Sequence, residues 1–130
     1  MFEKPSPEMI AKAEQAMSRA YSPYSNVKIG ACIKSATGKL YSGCNVENAS
    51  YPLCQCAEAN AIVNMVVSGE QKIAEIVVFS HFDKPCSPCG GCRQQIQEFS
   101  TEETLIHLYN RQGWVKTFTI AELLPFAFRL

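Results

Sequence analysis

No sign of charge prevails in this chain. Lys+Arg and Asp+Glu both number 12, for a formal net charge of zero, so it lacks the basic field that draws a phosphate backbone, and a nucleic-acid partner is not expected. Long apolar runs are missing too. The longest uncharged stretch, Ala59 to Gly69, falls far short of the ~20 residues needed to cross a bilayer. The opening Met1-Phe2-Glu3-Lys4-Pro5 lacks the basic and then apolar regions of a signal peptide, and the expectation is a soluble, cytoplasmic protein without membrane contact. There is no internal repeat, linker or low-complexity segment. With 130 residues, 47% of them apolar, the chain reads as a single domain, 1–130, with a core of its own. The partner this composition favours is a small molecule.

Histidine is scarce, at two residues, while cysteine is not: seven thiols stand at 32, 44, 54, 56, 86, 89 and 92. An odd number without an export signal argues against a disulfide framework. Cys32 and Cys44 lie in apolar strand-like stretches and read as small buried hydrophobes. Cys54 and Cys86 could compete for a metal but complete no recurring ligand spacing, so packing beside the other thiols is expected above ligation. His81 and His107 have no metal-ligand spacing to the thiols. Trp114, the one tryptophan, is expected to cover an apolar edge.

Secondary structure follows from periodicity and punctuation. Ser6-Pro7 is a helix start, with Ile10, Ala13, Met17 and Ala20 on one face and a stop at Tyr21-Ser22-Pro23-Tyr24. Residues 27–35 and 39–46 read as an antiparallel hairpin about Ala36-Thr37-Gly38. Residues 56–67 form a helix apolar almost all round, hence expected to be central and buried. Residues 73–80 make a continuous apolar strand of the parallel, fully buried kind. Ser87-Pro88 opens a helix with Pro88 at its first position, in which Cys89, Cys92, Ile96 and Phe99 share a core-facing stripe. Residues 104–109 and 115–118 are strands either side of a turn, and Thr119-Ile120-Ala121-Glu122 fits a capping box. Asn60 and Asn64, four apart, are expected to satisfy each other or nearby backbone. The fold class is α/β, a three-layer α/β/α sandwich on a mixed five-stranded sheet.

The chemistry resides in Cys56-Ala57-Glu58 and Pro88-Cys89-Gly90-Gly91-Cys92. A His or Cys two residues before a glutamate, followed later by Pro-Cys-x-x-Cys, is the zinc-deaminase signature. Structural zinc takes four protein ligands, whereas catalytic zinc takes three and leaves one position to water. Cys56, Cys89 and Cys92 supply three thiolates, and Glu58 is a base and not a ligand. Both segments open helices, whose N-terminal N–H groups stabilise thiolate. That helps, because three thiolates around Zn²⁺ leave a charge near minus one. Cys-x-x-Cys alone could be redox-active or a zinc knuckle, and Cys-x-Glu alone means little; their conjunction carries the reading.

The chain resembles the short, homotetrameric cytidine deaminases. The likeness runs from Tyr21-Ser22-Pro23-Tyr24-Ser25-Asn26 through Asn45-Val46-Glu47-Asn48-Ala49-Ser50-Tyr51 and both motif segments to Leu123-Leu124-Pro125-Phe126-Ala127-Phe128. The resemblance implies zinc on Cys56, Cys89 and Cys92, Glu58 as proton shuttle, and hydrolysis of cytidine and 2′-deoxycytidine to the uridine products and ammonia. It further implies Asn45 and Glu47 on the ribose, the Ala57 N–H and Ser87 C=O on the base, and Phe128 reaching into a neighbouring subunit's site. Two departures stand out. Ala59 replaces the arginine that offsets thiolate charge in such enzymes, which leaves that task to the helix ends and Arg93, and Val27 replaces an aromatic wall. Deaminases of cytosine-containing antibiotics, such as blasticidin S deaminase, also resemble the pattern and share the missing arginine; the Asn45-x-Glu47 pair favours nucleosides. A catalytically silent zinc module would have no use for Glu58.

Overall fold

Ser6 starts the first helix, α1 (Pro7–Ser18), by accepting a hydrogen bond from the Met9 N–H at 3.3 Å, with Pro7 in the first turn. Its inner face is Met9, Ala13 and Met17; Met9 takes the place expected for Ile10, and Ala20 lies beyond the helix. The structure, a computed structural model, describes residues 4–130. Met1-Phe2-Glu3, part of the opening weighed above against a signal peptide, lie outside the described residues.

Strands β1 (Ile29–Ser35) and β2 (Leu40–Cys44) form the expected antiparallel hairpin. Helix α2 spans Ala57–Val67, β3 Ile73–Ser80, α3 Gly90–Glu98, β4 Ser100–Asn110 and β5 Gly113–Thr119, and the short α4 (Ile120–Leu123) begins with the capping box between Thr119 and Glu122. The sheet order is β2-β1-β3-β4-β5. Only β3 and β4 run parallel, joined across α3, while β3 pairs antiparallel with β1 and β4 with β5. The sheet is therefore mixed, as expected.

Strand alternation sorts the core into two layers. Ala31, Ile33, Ile76, Val78, Ile106 and Leu108 pack with α2, α3 and α4 through Ala57, Ala61, Met65, Ile96 and Ile120. Cys32, Val77, Phe79 and Tyr109 pack with Met9, Ala13 and Met17 of α1. The third layer thus forms on schedule, and Cys32 is the buried small hydrophobe anticipated. Two glycines permit the close approach. A Cβ on Gly30 would collide with the backbone of α1 at Ala13 and Met17, and one on Gly43 with the backbone of α2 at Ala57 and Ala61.

Two expectations about helices need correction. Helix α2 buries only the side carrying Ala57, Ala61, Ile62 and Met65; Val63, Val66 and Val67 face outward at 63%, 40% and 80% exposure. A single sheet face contacts one side of a helix, so apolar residues on the other side await a different partner. Pro88 does not occupy the first position of α3: it precedes the N-cap, which is Cys89. Cys89 is exposed and Cys92 buried, so the two thiols do not share one core-facing stripe as expected.

Asn60, Asn64, His81, His107 and Trp114 find backbone or side-chain partners. Asn60 and Asn64 donate to the Cys44 and Ser42 carbonyls, each at 2.8 Å, tying α2 to edge strand β2. The ring of His81 accepts from the Lys28 N–H at 3.0 Å. Trp114 is 49% exposed and donates to Thr117 Oγ1 at 2.9 Å. His107 is fully buried between Thr117 Oγ1 at 2.8 Å and Glu75 Oε1 at 2.9 Å. Burial lowers its pKa, against an opposing pull from Glu75. A folded-state value below the unfolded one means that protons bind the unfolded chain more readily, so stability falls as pH drops below the ordinary imidazole value of ~6.5. The thermal midpoint should decline through that window, and His107→Gln should flatten the slope; an unchanged slope would remove His107 as its source.

Candidate active site

The two motif segments become helix N-caps. Cys56 caps α2 and Cys89 caps α3, each in extended backbone conformation, where a serine or aspartate commonly stands. The Cys89 sulfur accepts from the Cys92 N–H at 3.4 Å. Each helix therefore presents its positive end to sulfur. Cys92, one turn into α3, completes the group: the sulfurs of Cys56, Cys89 and Cys92 all lie within 4.8 Å of one another. Tetrahedral zinc with Zn–S bonds of ~2.3 Å holds sulfurs ~3.8 Å apart. Three soft donors at this separation fit zinc with a small contraction, and no fourth Cys, His, Asp or Glu among the described residues joins the group.

The sulfurs lie close together, which divides their acidities. Interaction with Cys92 pulls the Cys56 thiol down to about 6. The same interaction, with burial and the Glu58 charge, pushes Cys92 up. Metal binding would replace the thiol protons, as thiolate coordination requires. We expect about one zinc per chain by elemental analysis of protein purified without added metal. Folded, active protein with almost none would refute the assignment.

Glu58 sits in the first turn of α2, buried to 4% exposure. Desolvation lifts its carboxyl to about 7, helped by the charge of Cys56. A carboxyl near neutrality can both take and give a proton at working pH. It lines a cavity of about 270 Å³ together with Ile29, Asn45, Glu47, Cys54, Gln55, Cys56, Ala57, Val78, Cys86, Ser87, Cys89 and Cys92. The cavity opens where β1 begins and β3 ends, since Ile29 pairs with Ser80. Every site residue read from the sequence is brought to this cavity except Phe128. That ring is 70% exposed, on the C-terminal segment.

Asn45 and Glu47 are held firmly. Asn45 accepts from the Ile29 N–H at 2.8 Å and donates to the Val27 carbonyl at 2.7 Å. Glu47 Oε1 accepts from the Tyr24 and Ser25 N–H groups at 3.0 and 3.1 Å, and Oε2 takes the Ser25 hydroxyl. The Ser25 hydroxyl chiefly, with these N–H groups, keeps the Glu47 pKa below its ordinary value. Both side chains are thus fixed in place, with acceptor capacity left for a ligand.

Sequence reasoning missed Ser25, Ile29, Gln55 and Val78, which carry no chemical signature. Cys54 and Cys86 fall beside the ligand group as anticipated, Cys54 hydrogen-bonded to Asn48. Burial raises the Cys86 thiol pKa, and the Glu58 charge adds to it. Arg93 does not touch the sulfurs. Its guanidinium donates to the Pro88 carbonyl at 2.9 Å, the Leu123 carbonyl at 2.8 Å and Ser87 Oγ at 2.8 Å. Beside Ala59, the compensation visible around the sulfurs is that of the helix ends.

The cytidine and deoxycytidylate deaminase zinc-binding region matches residues 4–108. A cytidine deaminase of Sporosarcina psychrophila is 38% identical over 121 residues, covering 93% of this chain and 89% of its own. One of Mycoplasma pneumoniae is 42% identical over 120 residues, covering 91% and 90%. The crystal structure of cytidine deaminase from Burkholderia pseudomallei superposes with a TM-score of 0.89 at 40% identity, over 96% of this chain and 100% of that one. The Mycobacterium tuberculosis enzyme gives a TM-score of 0.82 at 32% identity, over 95% and 96%. With the three-sulfur group and the buried glutamate already in place, these likenesses over nearly the whole chain establish that it belongs to the cytidine and deoxycytidylate deaminase family of zinc enzymes.

Proposed function

We propose that this chain hydrolyses cytidine and 2′-deoxycytidine to uridine and 2′-deoxyuridine, releasing ammonia. The observation that carries this reading is the buried Glu58 carboxyl beside the three sulfurs in one cavity. Cys56, Cys89 and Cys92 would hold zinc, which when bound would supply the acidity that makes a water nucleophilic at neutral pH. Glu58 takes a proton from the attacking water and delivers it to N3 of the pyrimidine while the new C4–O bond forms. It then takes the proton of the new C4 hydroxyl and passes it to the amino nitrogen, the C4–N bond breaks, ammonia leaves and a C4 carbonyl remains. The Ala57 N–H and Ser87 carbonyl orient the base, and Asn45 and Glu47 receive the ribose. Since the side-chain hydrogen bonds of Asn45 and Glu47 already run to residues 24–29, ribose binding completes a network rather than building one.

Cytidine, 2′-deoxycytidine, cytosine, deoxycytidylate and blasticidin S should be offered in parallel while ammonia and the aminopyrimidine absorbance are followed. The nucleosides should be turned over best. Turnover of blasticidin S alone would replace this reading with the antibiotic-deaminase one.

The same proposal includes a homotetramer with shared sites. Phe126, Phe128 and Leu130 are exposed at 105%, 70% and 115%, and Val63, Val66 and Val67 add an outward apolar band on α2. Patches of this kind mark association surfaces, and Phe128, which does not line its own cavity, is free to wall a neighbour's. Truncation after Pro125 should raise the Michaelis constant for cytidine about tenfold or more, the scale of losing a buried aromatic contact, and weaken the tetramer in sedimentation. A fully active monomer would refute the shared site. The seven unpaired cysteines suit a reducing compartment, in keeping with a cytoplasmic enzyme. Among the described residues no helix is long and apolar enough to cross a membrane.

A further inference from the structure

We propose that Arg93 is a positioning residue that couples a subunit's own pocket to the wall its C-terminal segment lends to a neighbour. The inference rests on the shared-site reading above and extends it to a residue with no contact to the sulfurs. One guanidinium joins two remote pieces of chain. On one side it takes Ser87 Oγ and the Pro88 carbonyl, the residues just before the Cys89 cap, with Ser87 itself lining the cavity. On the other it takes the carbonyl of Leu123, the last residue of α4, beyond which the chain continues into the segment bearing Phe128. The next residue of α3, Gln94, donates to the Phe128 carbonyl at 3.1 Å. Adjacent residues of one helix thus hold the pocket loop and both ends of the C-terminal segment.

The geometry suits arginine and not lysine. A planar fork can serve three acceptors in fixed directions, whereas an ammonium is a single compact donor site. The acceptors include two main-chain carbonyls at places where no helix or strand supplies a partner, so the link is charge-assisted at both ends. Movement of residues 87–88 as a nucleoside enters is passed to Leu123, and so to the placement of Phe128. The converse also holds: seating of Phe128 in a neighbour's site pulls on the loop that carries Ser87.

A double-mutant cycle tests the coupling. Arg93→Lys, Arg93→Ala and truncation after Pro125 are assayed singly, and each Arg93 variant is also assayed within the truncated chain, with zinc content and thermal midpoint as checks on folding. Each Arg93 variant should raise the KM for cytidine about tenfold, the scale of one lost charge-assisted hydrogen bond, with kcat changed much less and zinc retained. In the truncated chain the same substitution should cost at least about threefold less, since residues that act together are not additive. Should Arg93→Ala not fold, Arg93→Lys carries the cycle. Multiplicative effects on KM, or an Arg93→Lys enzyme indistinguishable from the parent, overturn the coupling. If the parent chain turns over no cytosine nucleoside, it is the functional reading that has failed. The link is then read from chymotrypsin cleavage at Phe126 and Phe128, which Arg93→Lys should speed about threefold or more by loosening the segment; an unchanged cleavage rate overturns the link by itself.

Discussion

Glu58→Gln should reduce kcat for cytidine by about 10⁴-fold or more while leaving the zinc content and the fold intact. General acid–base catalysis contributes ~10²–10⁴-fold, and here a single carboxyl serves more than one proton transfer, which places the loss at the top of that range. The amide keeps the size and polarity of the side chain and can still hydrogen-bond, but it cannot accept a proton and return it. The burial that raises the Glu58 carboxyl to about 7 costs the protein something, because an ionisable group held at 4% exposure must often be neutral. Glu58→Gln removes that cost, so the variant should melt no lower than the parent. Near-normal turnover would take Glu58 out of the mechanism. A large loss of zinc in this variant would instead make it a ligand.

The second large effect is expected at Glu47. Glu47→Gln should lower kcat/KM for cytidine by roughly 10²-fold, as losing a charged partner of a hydroxyl does, with zinc content unchanged. Two consequences must be separated. Glu47 fixes the Tyr24–Ser25 turn through three hydrogen bonds, and a glutamine can keep only part of that arrangement. It is also the group proposed to receive the ribose. The free base cytosine separates them, for it has no ribose to lose: any turnover of cytosine should be nearly unaffected by the substitution if ribose recognition is the main role. If the parent enzyme uses cytosine as well as it uses cytidine, Glu47 does not read the sugar.

Much of this site could be read from the sequence because its chemistry is local. Cys56 and Glu58 are two residues apart, Cys89 and Cys92 are three apart, and both pairs start helices, so their mutual placement requires only that two helix ends meet. The hairpin about Ala36-Thr37-Gly38 and the caps at Ser6 and Thr119 are equally legible, since each depends on neighbours within a few residues. What the pattern misjudged depends on tertiary contact. Val63, Val66 and Val67 look like core in a one-dimensional string, yet the sheet occupies only the other side of α2. Pro88 was expected at the first helical position, but the Cys89 sulfur takes the Cys92 N–H and so becomes the cap itself. Arg93 beside two sulfurs in sequence suggested charge compensation; its side chain instead spans to Leu123, thirty residues away. No local rule could have indicated Ser25 as the partner of Glu47, or Ile29 and Val78 as cavity walls, because those roles come from the hairpin and β3 meeting at one end of the sheet.

Hydrolysis itself can be read directly from the product. Zinc-containing enzyme incubated with cytidine in ¹⁸O-labelled water should yield uridine and ammonia in equal amounts, with one labelled oxygen at C4 of the uridine, and apo protein should yield neither until zinc is restored. Uridine formed without the label, or at an undiminished rate by fully apo protein, would contradict a zinc-dependent addition of water in which Glu58 moves the protons.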